Sequence, residues 1–443
     1  MGMKLTAAAA LLAVGITGCF GASCAADETA KTENAQQSAI RDLTDAALNA
    51  IFWKKEAAWY MNEDRFDGFD EWMEDAHLML ASYETENKSI QNAAFTYDNA
   101  LAAMALIAEG WDFSAKDILD SFVYAVQNDR YQPGRIRNAY FAGNINAFPF
   151  DEASCARLPG WWDDVNEQWL EDRYQVGCNT GNTSYAALAL LQYDAVFGDD
   201  PEADEYVETA AALMDWVIDN CSDGGDGFTG GYDGWPEADP PVVYVFTYKS
   251  IEHNIDAYAA FSRLYEVTGE EKYREAAESA LRFIDSMYDR ENGVFYTGTY
   301  DDGVTPDREN IVLDAQVWAA LALGDAFEPY EASLQTVEKM KQDGGGYAFC
   351  LTNENGGWWS EGTAFTALMY SLRGEEEKAE QILNTLGSIQ DEMGQFPAAT
   401  VDNLSTGLYQ FDGEPIYYST DCHLAPTAWF ILAADGFNPY DFT

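Results

Sequence analysis

Two kinds of helix alternate along most of this chain, and that alternation limits its folding more than any other feature. One kind is alanine-rich and apolar nearly all round, as in "ALAAMALIA", "AALALL" and "AFTALMYSL". A helix apolar on every side has to be covered on every side. The other kind is amphipathic and charged, as in "EEKYREAAESALRFI" and "EEEKAEQIL". It suits an outer layer with one wet face. Beyond residue 38, twelve segments of helical periodicity follow one another in this order. Strict alternation over six pairs describes an all-α fold, a closed (α/α)6 toroid of inner and outer rings. An open solenoid of helical hairpins is the rival, but repeats of such uneven length suit loops inserted around a pocket. Closure of the ring requires "TYDNALAAM" and "DCHLAPTAWF" on adjacent inner helices, with their N-termini about 10 Å apart.

In a toroid the inner helices run parallel, so their N-termini collect at one mouth. The long connections precede the inner helices and are aromatic and glycine-rich, among them "FAGNINAFPF", "LPGWWDDVNEQW" and "GGGYAFCLTNENGGWWSEG". Function is expected on that face. The 76 acidic residues against 24 basic ones leave a formal net charge of −52. Such a surface repels nucleic acid, anionic lipid and polyanionic substrates, so neutral ligands are expected and nucleic acid is not. The composition calls for no cofactor, and a monomer is the simplest state.

The N-terminus reads as an export signal over residues 1–26. Lys4 precedes the apolar run "LTAAAALLAVGITG", which is too short to remain as a spanning helix. "ITGC", ending at Cys19, resembles a lipobox, whose cysteine becomes lipid-modified. Ordinary cleavage after "CAA" is the alternative and would give a secreted protein. Residues 27–38 are small, polar and charged, as in a tether, and residues 39–443 form the single domain. A lipid-anchored, cell-surface location follows, with the anchor as the membrane contact. Five later cysteines show no CxxC spacing. Cys155 and Cys178 allow one disulfide, and buried thiols are the plainer reading.

The starts of the inner helices carry the chemistry. "YKSIEHNIDAYAAF" places Glu252, His253, Asn254 and Asp256 on one first turn, using one of only three histidines. The other inner helices begin with Tyr97 and Asp98; Asn179, Thr180 and Asn182; Asp314 and Gln316; Ser360 and Glu361; and Asp421 and His423. Helix capping explains Asp98, Asn254 and Asp314 in part. It explains Glu252 and Glu361 poorly, because Glu is a weak N-cap. Trp358 and Trp359 beside Glu361 predict a desolvated carboxyl with a raised pKa, fit to donate a proton near neutrality. Carboxyls among tryptophan, tyrosine and amides are the inventory of a saccharide site.

The alternating helices and the motifs "EHNID", "NTGN" and "WWSEGTA" resemble the six-hairpin glycosidase superfamily over nearly the whole mature chain. The resemblance implies an (α/α)6 barrel with catalytic carboxylates at the loop-rich end, and no particular substrate. From the residues themselves, Glu361 is the candidate acid and Glu252 the candidate base or nucleophile, with Asp98 and Asp314 as a reserve pair. His253, Asn254, Asp256, Asn182, Trp358, Trp359, Tyr97, Gln316, Asp421 and His423 are the candidate substrate contacts. Several alternatives stand beside hydrolysis. A sugar epimerase would use His253 and His423 as bases. A polysaccharide lyase would need more cations than Arg135, Arg137 and Lys249 supply. A zinc site would draw on Cys350, Cys422 and His423. A glycan-binding lipoprotein would need no acid–base pair. His77 reads as structural, and "DGGDGFTGGYDG" as a lid or subsite loop rather than a calcium loop.

Overall fold

Alanine and leucine dominate six helices that lose nearly all of their surface to neighbours, and the ring is built around them. The structure, a computed structural model, describes residues 20–60, 77–131, 133–146, 155–236, 238–353, 355–409 and 413–442. The inner helices are α2 (Thr96–Ala108), α4 (Thr180–Phe197), α6 (Ile251–Thr268), α8 (Leu313–Leu323), α10 (Ser360–Leu372) and α12 (Leu424–Asp435). The outer helices are α1 (Phe20–Tyr60), α3 (Asp112–Gln127), α5 (Ala203–Cys221), α7 (Glu271–Ser286), the short α9 (Leu334–Lys339) and α11 (Glu376–Gly387). Each inner helix packs on the next, and α12 packs on α2. The ring is therefore closed, and the solenoid is excluded. Strand pairing seals the seam, since His423 lies opposite Tyr83 in register.

Local sequence explains the element ends. Ser250 caps α6, and Gly269 ends it in the left-handed conformation at φ 69°, its N–H bonding the Tyr265 carbonyl at 2.8 Å. Asn179 caps α4, accepting the Asn182 N–H at 2.7 Å. In α7, Tyr273, Ala276, Ala277, Ala280, Phe283 and Ile284 form the buried stripe, at the three-and-four spacing of an amphipathic helix.

One expectation changes. "YEASLQTVEKMKQ" predicts an ordinary fifth outer helix, but residues Gly324–Ser333 form a 3-10 helix and only Leu334–Lys339 are α-helical. Pro329, which has no N–H to donate, lies inside the 3-10 stretch just before that segment. Residues 27–38, read as a tether, lie within α1. Cys19 lies outside the described residues. No described helix is long and apolar enough to cross a membrane.

Short strands line the mouth, and one repeated interaction fastens them to the inner ring. The fourth residue of each inner helix is Asn99, Thr183, Asn254, Gln316, Thr363 or Thr427. Asn99 takes the Leu80 N–H at 2.8 Å and returns an N–H to its carbonyl at 3.1 Å. Asn254 does the same to Phe228 at 2.7 and 3.0 Å, and Gln316 to Phe295 at 2.9 Å both ways. Thr363 accepts from Tyr347 at 3.0 Å and Thr427 from Phe396 at 3.2 Å. Thr183 folds back on the Asn179 carbonyl.

Leucine at position 254 keeps the volume and strands two buried backbone groups. Asn254→Leu is therefore expected to lower stability by about 2–4 kcal/mol in urea denaturation. An unchanged midpoint would show that the clamp is dispensable.

Candidate active site

With the fourth position facing a strand, the second and third positions face the opening. They supply Tyr97 and Asp98 from α2, Asn182 from α4, Glu252 and His253 from α6, Asp314 from α8 and Glu361 from α10. His423 joins them from the strand before α12. Glu361 is 2% exposed, Asp98 and Asp314 3% and His423 4%, so the floor of the mouth is made of buried acids and an imidazole.

Each of these groups has a defined neighbour. Tyr97 donates its hydroxyl proton to Glu361, and the Trp429 indole N–H reaches the same hydroxyl at 3.0 Å. Burial pushes the Glu361 carboxyl up to about 7; Asp98 adds to this, while His423 and Tyr97 oppose it. The His423 Nε2 stands 3.0 Å from Asp98 Oδ2, and its ring stacks on Tyr83 at 4.1 Å, 6° from parallel. Asp314 is raised well above the ordinary carboxyl range, first by burial and then by the charge of Glu252, with which it shares a hydrogen bond.

His253 lies on Gly181, the second residue of α4. A Cβ at 181 would overlap the imidazole, so the glycine of "NTGN" makes room for it. Burial holds this imidazole below its usual range, with Glu252 opposing. Among the described residues the Nδ1 atoms of His253 and His423 are buried and unpartnered.

Four tyrosines form the walls. Negative charge from Asp98 and Glu361 reaches the half-buried Tyr83 and Tyr418, that from Asp98 reaches Tyr174, and that from Glu252 reaches Tyr248. Tyr418 is backed by Trp359, whose ring is stacked on it at 5.8 Å.

Several candidate contacts belong elsewhere. Asn254 and Gln316 are clamps on the backbone of Phe228 and Phe295, so neither faces the opening. Asp256 is 2% exposed and bonds Tyr440 below the floor. Trp358 covers Gly346, and the indole beside Glu361 is that of Trp429 instead. Trp359 stands behind Tyr418. Asn182 bonds Asn138 at 3.0 Å and the Tyr174 hydroxyl at 3.3 Å, buttressing the wall. Asp421 is half-buried on the rim, bonded to the Ser419 hydroxyl at 3.0 Å. His77 packs on Tyr124 at 4.5 Å and bonds Asn146. Tyr83, Tyr174, Tyr248, Tyr418 and Trp429 went unread. The tyrosines sit in connections before inner helices, and Tyr248 stands four residues ahead of Glu252.

The cations near the mouth serve other partners. Arg137 and Arg135 bond buried Asp129 at 2.6 and 3.0 Å. The Lys249 ammonium, 3% exposed, bonds Asp223 and the Asp226 carbonyl, each at 2.8 Å. In "DGGDGFTGGYDG" this ammonium already meets those oxygens. Cys178, Cys221 and Cys350 are buried, and no metal-binding group of His, Cys, Asp and Glu occurs among the described residues.

No known sequence family matches the chain, and no curated protein does. Solved structures do. A glycosidase variant in complex with glucose has 12% identity and a TM-score of 0.53, covering 88% of this chain and 98% of its own. The cellobiose 2-epimerase from Bacillus thermoamylovorans has 11% identity and a TM-score of 0.54, covering 89% and 98%. The GH76 alpha-mannanase from Bacteroides thetaiotaomicron has 11% identity and a TM-score of 0.51, covering 84% and 94%. At such identity the likeness is one of fold. The chain has the (α/α)6 toroid fold of these enzymes.

The raised Glu361 carboxyl has a consequence for stability. The folded protein keeps that proton up to about 7, whereas an unfolded chain loses it near 4.3. Between these values the folded state binds more protons, so this group's contribution falls as pH rises. Relative to wild type, Glu361→Gln should gain on the order of 3 kcal/mol between pH 4 and 8. Urea denaturation of both proteins across that range tests this, and a constant difference would contradict it.

Proposed function

We propose that this protein is a carbohydrate-active enzyme that hydrolyses a glycosidic bond in a neutral oligo- or polysaccharide. The observation that carries the reading is the convergence of Glu361, Asp98, Asp314 and Glu252 on one floor beneath tyrosine walls. Glu361 serves as the general acid, since burial keeps it protonated near neutrality and able to protonate a leaving oxygen. Glu252, more open than its neighbours, serves as base or nucleophile, and Asp314 positions it by their shared hydrogen bond. Asp98 orients His423. Engagement of Arg135, Arg137 and Lys249 with other partners supports a neutral substrate. Export through the lipobox at Cys19 to a lipid-anchored surface location belongs to the same proposal. Mass spectrometry of the mature N-terminus tests that part, and an unmodified start at Asp27 would replace the anchor with secretion.

A second reading is favoured by His253 and His423, whose Nδ1 atoms are buried and unpartnered. An epimerase needs one imidazole to remove a proton from a sugar carbon and another to return it. The products separate the readings: hydrolysis gives new reducing ends, and epimerisation gives the same number of ends with altered stereochemistry.

Purified protein incubated with a panel of neutral oligosaccharides is expected to release reducing ends. Glu361→Gln and Glu252→Gln should each lower turnover by about 10²–10⁴ while the helical circular dichroism stays unchanged. Wild-type turnover in both variants would remove the assignment. No new ends on any substrate, with saturable binding retained, would leave a glycan-binding protein.

A further inference from the structure

Two hairpins in the connections before α4 and α6 carry aromatic rings that the acid floor does not use. The first pairs Trp161–Asp163 with Gln168–Leu170 and sets Trp162 opposite Trp169. Residues opposite one another in an antiparallel pair share a face. Trp162 is 50% exposed and Trp169 46%, so that face lies open among the described residues. The indole of Trp169 rests on Gly160, where a Cβ would come within 2.6 Å of its nitrogen.

The second hairpin pairs Gly231–Trp235 with Val242–Phe246. Tyr244, Phe246 and Tyr248 follow at every second residue, all partly exposed, and their rings touch in turn, with centroids 5.3 and 5.0 Å apart. Gly230 lets the last two lie side by side, since a Cβ there would meet the Tyr248 ring at 2.9 Å and the Phe246 Cβ at 3.0 Å. Tyr248 is already part of the mouth wall, so this ladder starts four residues from Glu252 and leads outward. The two hairpins are tied together. The Trp235 indole donates to Glu171 at 2.9 Å, and the Gly234 N–H donates to the Arg173 carbonyl at 2.8 Å. The Arg173 guanidinium lies 5.8 Å from the centre of the Tyr244 ring, with its Nε 3.7 Å from Asp233. The next residue, Tyr174, belongs to the wall.

We infer that these hairpins form an aromatic shelf on the rim that holds outlying sugar units of a long neutral polysaccharide, so that the substrate is a polymer. The inference rests on the reading of the mouth as a sugar site and names the kind of sugar that enters it. Half-exposed tryptophans on one face mark a surface that something covers. Flat aromatic rings suit the C–H faces of pyranoses, while sugar hydroxyls stay in water. From Tyr244 to Tyr248 the strand direction spans about 13 Å, more than one pyranose covers, and Trp162 and Trp169 extend the surface further. Charge selects among glycans. Asp163, Asp164, Glu167, Glu171 and Asp172 lie in or just after the first hairpin. Lys88 meets Asp164 at 2.9 Å and Arg130 meets Glu171 at 3.1 Å, which leaves acid in excess. A polyanionic chain is repelled there and a neutral one is not.

Affinity electrophoresis of the full chain tests the shelf, in native gels cast with mannan, xylan, galactan or a β-glucan. The intact chain is expected to be retarded in at least one gel. Trp162→Ala combined with Trp169→Ala should weaken that binding about tenfold or more, with the helical circular dichroism unchanged because both side chains are half exposed. Tyr244→Ala is expected to weaken it in the same direction. Retardation that survives the double substitution overturns the shelf, as does an intact chain that no gel retards. A dimer in sedimentation that the double substitution disperses would assign the face to a second copy and overturn it as well. Binding needs no bond cleavage, so the two readings fail separately. Shelf-dependent retardation without new reducing ends keeps the shelf and removes the hydrolase. Reducing ends from short oligosaccharides without retardation keep the hydrolase and remove the shelf.

Discussion

The hydrogen bonds from the fourth residue of the inner helices to the backbone of the mouth strands determine where everything else in the site can be. Asn99, Asn254 and Gln316 each satisfy both the N–H and the C=O of one residue in the connections at the mouth (Leu80, Phe228 and Phe295), an arrangement that suits a buried amide with a donor and an acceptor on one end. Successive residues of a helix are about 100° apart. Once the fourth position is turned to the strand, the second and third are aimed at the opening. Those positions carry Tyr97, Asp98, Asn182, Glu252, His253, Asp314 and Glu361. The strands themselves bring the tyrosine walls over the floor, and the seam between Tyr83 and His423 joins the two ends of the chain at the site.

Much of this was legible in the sequence. Helices apolar on all sides can be buried only by a second ring, and the acids at helix starts mark the mouth. The structure has the two rings, and it brings Asp98, Asp314 and Glu361 within electrostatic reach of one another. What the sequence left open was the direction of each side chain within one turn. Asn254 and Asp256 stand beside Glu252 in the chain, yet one grips a strand and the other points down the axis. Gln316 and Asp314 differ in the same way. Trp358 and Trp359 are neighbours of Glu361 along the chain, but a rotation of one residue sends the first onto Gly346 and sets the second behind Tyr418. The indole that reaches the Tyr97 hydroxyl beside Glu361 comes from Trp429, a turn further down α12. No local pattern marks it, because in sequence it is one more apolar residue of a buried helix. The fifth outer helix is shorter than its periodicity suggests, because Gly324–Ser333 take the tighter 3-10 form and leave Leu334–Lys339 as the α-helix.

The floor of the mouth holds more acid than a buried site tolerates in ionised form, and the geometry shows how the charge is limited. Glu252 and Asp314 share a hydrogen bond, Asp98 is joined to His423, and Glu361 is held by Tyr97 at neutral pH with its proton still available. Burial is the first cause of the shift at Asp314, Asp256 and Glu361 alike. The same burial lowers His253. A neutral imidazole and a protonated carboxyl within one mouth are what separate the hydrolytic and epimerising readings, since each reading uses a different one of them as the proton donor or acceptor.

The central claim is that this mouth binds a neutral sugar against the acid floor. Crystals soaked in a neutral hexose measure it most directly. The account predicts a pyranose ring within the mouth, beside Tyr83 and Tyr418, with hydroxyls in hydrogen-bond reach of Glu361, Asp98 or Glu252. Sugar bound only on the outer surface of the ring, with the mouth filled by water, would contradict it.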